Sequence, residues 1–368
     1  MTLKSAFIRT EKVTLVIVLS IAAVLLLARI ALPYVAEDII NRELANIENY
    51  TGRVSDVDLA LIIGQFEVED LTIRKRDGDI PAPLLDVKHA EVTIDWKALW
   101  REGVLAGSVY IENPRIHIVD ARDPRNRQTG TEVDWQQKLD ELFPFRINRT
   151  VVQDGEVHFM NIETEPKVDV FLSNIQLTAT NLQNVEAAPG DETPAKLKMS
   201  GKAMQESQFE LGMDMNFLSK PPVFEFSLQL EEFPLVEIQD LTRAYANLDV
   251  KSGLLTLFSE IKSENNDLKG YIRPVIENLN VLNWQQDVEQ DEDSGFILAW
   301  EGLSDVVGVI LNNPEKERIA TDIPVRGTLD EPDIQVLSMI GGLFKNAFVD
   351  AYNKRFKKDD VTDDPSES

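Results

Sequence analysis

The chain has 368 residues, 43% of them apolar, with 63 acidic against 37 basic side chains, a formal net charge of −26 and no cysteine. That charge leaves no cationic field to displace counterions from phosphates, so nucleic acid is excluded as a partner. The missing cysteines exclude disulfides, thiolate metal sites and thiol catalysis together, while the apolar content suffices for a large core without staples.

Residues 13–32 read VTLVIVLSIAAVLLLARIAL, with one charge, Arg29, near the distal end. At ~1.5 Å per residue this run spans the ~30 Å hydrocarbon core of a bilayer, and Arg29 can snorkel to the interface. Tyr34-Val35-Ala36 offers no small-x-small cleavage site, so the run is expected to stay as a single-pass transmembrane anchor. Lys4, Arg9 and Lys12 precede it, and Glu37 and Asp38 follow. The positive-inside rule then puts residues 1–12 in the cytoplasm and the body outside, in a bacterial cell the periplasm. Residues 33–50, with Val35, Ile39, Leu44 and Ile47 at roughly helical spacing, are expected to form a linker helix.

Residues 51–333 read as a β-rich domain. Phe66 and Val68 share one phase and Leu71 and Ile73 the other, which predicts a bulge near Asp70. Leu85 and Val87 differ in phase from Val92, Ile94 and Trp96; a short helical turn, Trp96 to Arg101, leads to Val109-Tyr110-Ile111 and, across Asn113-Pro114, to Ile116-His117-Ile118. The polar stretch 120–131 reads as a surface loop, and Asp134 as the N-cap of a short helix carrying Trp135, Leu139 and Leu142. Strands follow through Val157-His158-Phe159, then Val168, Val170 and Leu172, then Ile175, Leu177 and Ala179; after a loop at 187–194 they resume at 197–203.

The clearest pattern lies between Gln208 and Leu230. Phe209, Leu211, Met213, Met215 and Phe217 alternate with polar or small residues, and after Pro221-Pro222 the alternation resumes as Phe224, Phe226, Leu228 and Leu230. A period of two puts every apolar side chain on one pleated face, so this is a predicted β-hairpin with one oily side. Pro234 then opens a helical segment with Leu235, Ile238, Leu241 and Tyr245, followed by strands near 254–261, 268–276 and 279–282. The acidic stretch 287–294 lacks the ligand and glycine spacing of an EF-hand and reads as a solvated loop. After a last strand at 323–329, residues 334–358 carry Val336, Ile340, Leu343, Phe344, Ala347 and Ala351 on one stripe with a basic end, an amphipathic helix. The acidic tail 359–368 is expected to be disordered.

The sequence carries no His-Glu-x-x-His, Gly-x-Ser-x-Gly or phosphate-loop motif, so it predicts no catalytic residue, metal site or cofactor. His89, His117 and His158 fall in predicted strands, the last two on the side away from the apolar face, and read as surface residues. Gly64, Gly107, Gly155 and Gly253 each begin a Gly-x-apolar-x-apolar pattern; this reads either as a degenerate repeat of ~45 residues or as glycines at the turns before strands.

The order of these pieces resembles the AsmA-like proteins of Gram-negative cell envelopes. An N-terminal membrane helix, then Thr51-Gly52-Arg53-Val54, then Val109-Tyr110-Ile111-Glu112-Asn113-Pro114-Arg115-Ile116 looks like their opening module. Asp154-Gly155-Glu156-Val157-His158-Phe159 and Ser252-Gly253-Leu254-Leu255-Thr256-Leu257 are similar to glycine-led strands of that superfamily's domains of unknown function, and residues 323–332 resemble its closing strand. The resemblance implies a mainly β fold: an elongated, curled antiparallel sheet forming an apolar groove, held at the inner membrane and concerned with phospholipid transport or envelope integrity.

About 15 strands at ~4.8 Å would give a groove on the order of 70 Å, shorter than the gap between two envelope membranes. Phospholipid or another acyl-chain lipid is the expected ligand, lined by Phe209, Leu211, Met213, Met215, Phe217, Phe224, Phe226, Leu228 and Leu230, with Val157 and Phe159. The alternative is a non-enzymatic envelope scaffold, its faces closed into a dry core and its acidic outside recruiting a protein partner.

Overall fold

A computed structural model describes residue 29 and residues 31–129, 145–183, 193–216, 223–246, 249–282, 318–320 and 322–328. The run 13–28, the helices expected at 134–142 and 334–358, the loop at 187–192, the acidic stretch 287–294, the tail and Phe217 lie outside the described residues. Among the described residues no helix is long and apolar enough to cross a membrane.

The fold is mainly β, a large curled sheet. A helix, α1 (31–44), leads to β1 (Tyr50–Arg53), β2 (Asp56–Ala60), β3 (Gln65–Lys75) and β4 (Leu85–Ile94). Helix α2 (Trp96–Glu102) starts at Asp95, whose carboxylate accepts from the N–H groups of Lys97 and Ala98, and ends at Gly103 in the left-handed region. Then come β5 (Leu105–Glu112), β6 (Arg115–Val119), β7 (Phe145–Asn161), β8 (Val168–Gln183), β9 (Ala195–Ala203), β10 (Ser207–Asn216) and β11 (Val223–Pro234). A 3-10 turn (Leu235–Ile238) and α3 (Gln239–Ala246) connect to β12 (Asp249–Glu264) and β13 (Asp267–Leu282), and β14 (Arg318–Ala320) and β15 (Ile323–Thr328) close the described chain.

These fifteen strands occupy twelve ranks. β1 and β2 both pair with β3, β5 and β6 both pair with β4 and β7, and β14 and β15 both pair with β13, so each of these couples is one interrupted strand. Eleven spacings of ~4.8 Å give a sheet about 53 Å across rather than about 70 Å. The expected all-antiparallel order also needs correction. β5 and β6 run parallel to β7, and the polar stretch after Val119 lies in the crossover that such a step requires. Every other pairing in the described sheet is antiparallel.

A seam of left-handed residues crosses the strands. Asp70 in β3, Asn113 between β5 and β6, Asp154 in β7 and Asn174 in β8 have φ of 47°, 49°, 53° and 51°. They sit at neighbouring register positions, and Glu232, Gly253 and Asn278 continue the feature in β11, β12 and β13. Asp and Asn tolerate this region better than other residues with a Cβ, and each such residue swaps which side chains face inward. At Asp70 the pairing stays in step, Glu69 with His89 and Leu71 with Val87. The expected bulge is therefore a phase switch shared by two strands, which is why β4 also changes phase after Val87.

Apolar side chains collect on one face. Met213, Met215, Phe224, Phe226, Ile261, Leu268, Ile272, Ile323 and Val325 form the largest cluster, along one margin of β10–β15. At the opposite margin the 3-10 turn and α3 lay Leu235, Ile238 and Leu241 against β8, β12 and β13. Helix α1 covers the first ranks, packing Ala36, Ile40 and Leu44 on Val57, Leu59, Phe66 and Val68.

Candidate functional site

The register of the strands builds two parallel rows across all twelve ranks. One runs Val57, Val68, Ala90, Ile111, Val152, Leu177, Met199, Leu211, Leu228, Ser259, Ile272, Ile323, each residue the direct partner of the next. Its single polar member, Ser259, is buried and donates its hydroxyl to Tyr271 O at 3.0 Å, so it adds no unsatisfied group. The second row passes from Leu59 and Phe66 through Val92, Val109, Thr150, Ala179 and Leu197 to Met213, Phe226, Ile261, Gly270 and Val325. Thr150 is its one polar break: the hydroxyl is buried and has no hydrogen-bond partner among the described residues.

Burial is uneven along this face. At the margin Met213, Phe224 and Phe226 are 3%, 0% and 6% exposed. In the middle Leu177, Leu197, Met199, Leu211, Leu228, Leu230 and Leu257 are only half-buried. The hairpin thus splits: Phe209, Met213, Met215, Phe224 and Phe226 belong to the buried part, and Leu211, Leu228 and Leu230 to the half-buried part. Phe209 reaches burial by lying across Gly201, where a Cβ would stand 2.9 Å from the ring.

Val157 and Phe159 lie beyond the seam, half-buried; Phe159 packs beside Val168 and Leu241, its ring 6.1 Å from that of Tyr245. Phe159 joins the α3 margin, Val157 pairs with Leu172 of β8, and neither lies in the hairpin's rows. The members that sequence reasoning missed, Val57, Val68, Ala90, Ile111, Val152, Leu177 and Met199, become visible only through register, although each already sat in an alternating run.

The opposite face is polar. Its rows carry Lys196, Lys198 and Lys202 of β9 against Glu210 and Asp214 of β10, and Glu225 of β11 against Lys262 of β12 at 2.8 Å. These cross-strand pairs are exposed and each is worth little, but they keep this side wet. A shallow depression of about 900 Å³ lies here, where Thr178, Ser200, Gly212 and Ser227 are small and Lys198, Glu210, Glu260 and Tyr271 stand around them. Its lining mixes charged, small and apolar residues and takes in Val152, Leu177, Met199, Leu211, Leu228 and Ser259 of the first row.

His117 and His158 occupy this side as well, half-buried rather than on the open surface, stacked with ring centroids 5.3 Å apart. Burial pushes His117 below the usual imidazole range, and its Nδ1 lies 2.9 Å from Pro83 O. His89 Nδ1 lies 2.7 Å from Glu69 Oε1, and that bond raises its pKa. Among the described residues no group of His, Asp or Glu is arranged to hold a metal ion.

One buried polar cluster ties distant parts of the chain together. Tyr245 on α3 donates to Asp120 Oδ2 at 2.6 Å, and Asn161 Nδ2 donates to Tyr245 Oη at 2.8 Å. Burial, then the bond to the Asp120 carboxylate, raises the phenol's pKa well above its usual range. The cluster joins the start of the crossover, the end of β7 and the helix that covers the far margin.

No protein-family model matches this sequence, and no curated protein is detectably similar to it.

Proposed function

We propose that this chain is a single-pass inner-membrane protein of the AsmA-like kind, whose periplasmic sheet binds lipid acyl chains along the half-buried middle of its apolar face. The supporting observation is the unbroken row from Val57 to Ile323, apolar at every rank but one and buried at its margin but not at its middle. Exposing an acyl chain to water costs about 0.8 kcal/mol per methylene, so a lipid tail leaving a bilayer loses on the order of 10 kcal/mol without such a surface. A continuous strip lowers that cost without chemistry, in keeping with a role in phospholipid transport or outer-membrane homeostasis and with no catalytic step. At about 53 Å the strip suits a task at one membrane, or a share of a longer path made with a partner.

The complete burial of Phe224 and Ile272 supports a second reading, an envelope scaffold with a dry core. Lipid extraction separates the two. The full chain, purified from its membrane and freed of bulk lipid, is compared by mass spectrometry with a folded Leu211→Asn, Leu228→Asn variant. Phospholipid retained by the first and lost from the second supports the binding strip. Equal lipid on both, or none on either, favours the scaffold.

A further inference from the structure

Among the described residues, the most exposed large apolar side chains beyond α1 gather at one place. Ile62 and Ile63, 91% and 66% exposed, form the turn between β2 and β3 with Leu61, and Trp100 on α2 is 85% exposed. Turn and helix are fastened together. Trp96 Nε1 donates to Leu61 O at 2.9 Å, Ile94 N donates to Gly64 O at 2.7 Å, and Gly64, at φ 75°, lies so close to Ile94 O that a Cβ would sit 2.4 Å from it. Trp96 and Trp100 are four residues apart and so share a side of the helix, continuing the apolar patch from the turn. Water-exposed isoleucines on a rigid turn, beside an exposed tryptophan, are an unfavourable surface for a protein that ends in water.

Two further observations say what covers the patch. Arg29 is the one charge of the apolar run 13–32, and its guanidinium bonds to Leu59 O and lies 3.4 Å from Asp58 Oδ1, in the strand that leads into the turn. Leu61 is two residues beyond Leu59, so the turn begins within about 7 Å of the point where the run meets the sheet. The local charge also differs from that of the chain. Asp58 is engaged by Arg29, Asp95 caps α2 and Glu102 pairs with Arg146 at 3.1 Å. Lys97 and Arg101 on α2 are exposed and form no ion pair with any described residue. In a chain of net charge −26 this corner presents isoleucine, tryptophan and unneutralised cations together, the composition that partitions to a headgroup layer.

We propose that the Leu61–Ile63 turn and the Trp100 side of α2 form a foot that inserts into the interface of an anionic phospholipid bilayer, seating the first ranks of the sheet on the membrane. The inference rests on the reading of 13–32 as a membrane span. Its consequence is orientation: a single span leaves the sheet free to swing, whereas a second contact holds the start of the apolar rows against the lipid from which a tail would enter.

Because the chain has no cysteine, single labels are clean. The full chain bearing Ile62→Cys, or Gln208→Cys on an outward position of β10, is labelled with a polarity-sensitive dye and reconstituted into nanodiscs of phosphatidylethanolamine and phosphatidylglycerol. Quenching is read with nitroxide-bearing lipid and with iodide, and flotation with vesicles of the same lipids is read alongside. The expected result is strong lipid quenching and weak iodide quenching at residue 62, with the reverse at residue 208. Further substituting Lys97→Glu and Arg101→Glu should weaken the lipid quenching at residue 62. Iodide access at residue 62 equal to that at 208, in a chain that floats, would overturn the foot and leave the span intact. Shielding from both quenchers would show that protein covers the patch and overturn the lipid assignment. Failure to float would overturn both readings.

Discussion

Phe226 and Leu228 are neighbours on one strand and point to the same face, yet the first is 6% exposed and the second half-buried. The margin of the apolar face, from Met213 through Phe224 to Ile272 and Ile323, is packed like a protein core; its middle, from Leu177 through Met199, Leu211 and Leu228, is only half-buried, with Leu211 and Leu228 lying against that core on one side. The two regions have the same strand pairing and the same hydrophobic residue types, so the difference lies in what covers them. A closed margin holds the curl together; under the proposed function, the half-buried middle is the area that takes an acyl chain.

The largest effect should come from the margin. Phe224→Ala removes a fully buried ring from the largest cluster and is expected to destabilise the fold by about 3–5 kcal/mol in urea unfolding. A loss under about 1 kcal/mol would mean that the margin is as loosely packed as the middle. Next comes the polar lock beneath α3. Tyr245→Phe leaves Asp120 and Asn161 without a shared partner and should cost about 1–3 kcal/mol, seen also as faster amide exchange in α3 than in β10. Exchange accelerated equally in α3 and β10 would show that α3 is no separate cover.

The middle should behave in the opposite way. Leu228→Ala is expected to cost only about 1–2 kcal/mol, because its side chain is already partly in water, while removing bound lipid that Phe224→Val leaves in place. Stability and ligand loss that track one another across both variants would erase the distinction between the regions.

The smallest effect lies on the polar face. His89, raised by Glu69, contributes stability that is present below the ordinary imidazole value and lost as pH rises through its own higher value. His117, lowered by burial, has the opposite sign: its neutral form is favoured in the fold, so stability is lost as pH falls below the ordinary value towards its own. Between about pH 5 and 8, His89→Gln should weaken the protein on the acid side and His117→Gln should relieve it there, read as shifts in Tm. Shifts of the same sign in both variants would contradict the assignment.

The hairpin was legible in the sequence because a strict period of two with Phe and Met against Glu and Asp admits one reading, and β10 and β11 pair from Phe209 with Leu230 to Asn216 with Val223. The phase switch at Asp70 was legible too, as a change of parity, but not its meaning. A bulge and a left-handed residue matched by its neighbour shift parity alike, and only the partner strand tells them apart. The twelve ranks were hidden for the same reason. Nothing local to Asn113-Pro114 says that β5 and β6 lie in line, because their common neighbour, β7, arrives after a crossover of more than twenty residues. Val57 and Ala90 are ordinary small apolar residues in short runs, and their place in a continuous row follows from pairings the local pattern does not carry. Ile62, Ile63 and Trp100 went unremarked in strand-by-strand reading, since apolar residues at a turn differ from core residues only in exposure.

The most direct test of an open, lipid-facing middle uses two adjacent positions. A photo-crosslinking phenylalanine analogue replaces Leu228, on the apolar face, or Ser227, its outward neighbour, in the full chain in intact cells. Phospholipid adducts at 228 and none at 227 are the predicted result. Adducts at neither position, or equally at both, from chains that remain folded would contradict an acyl-chain strip on this face.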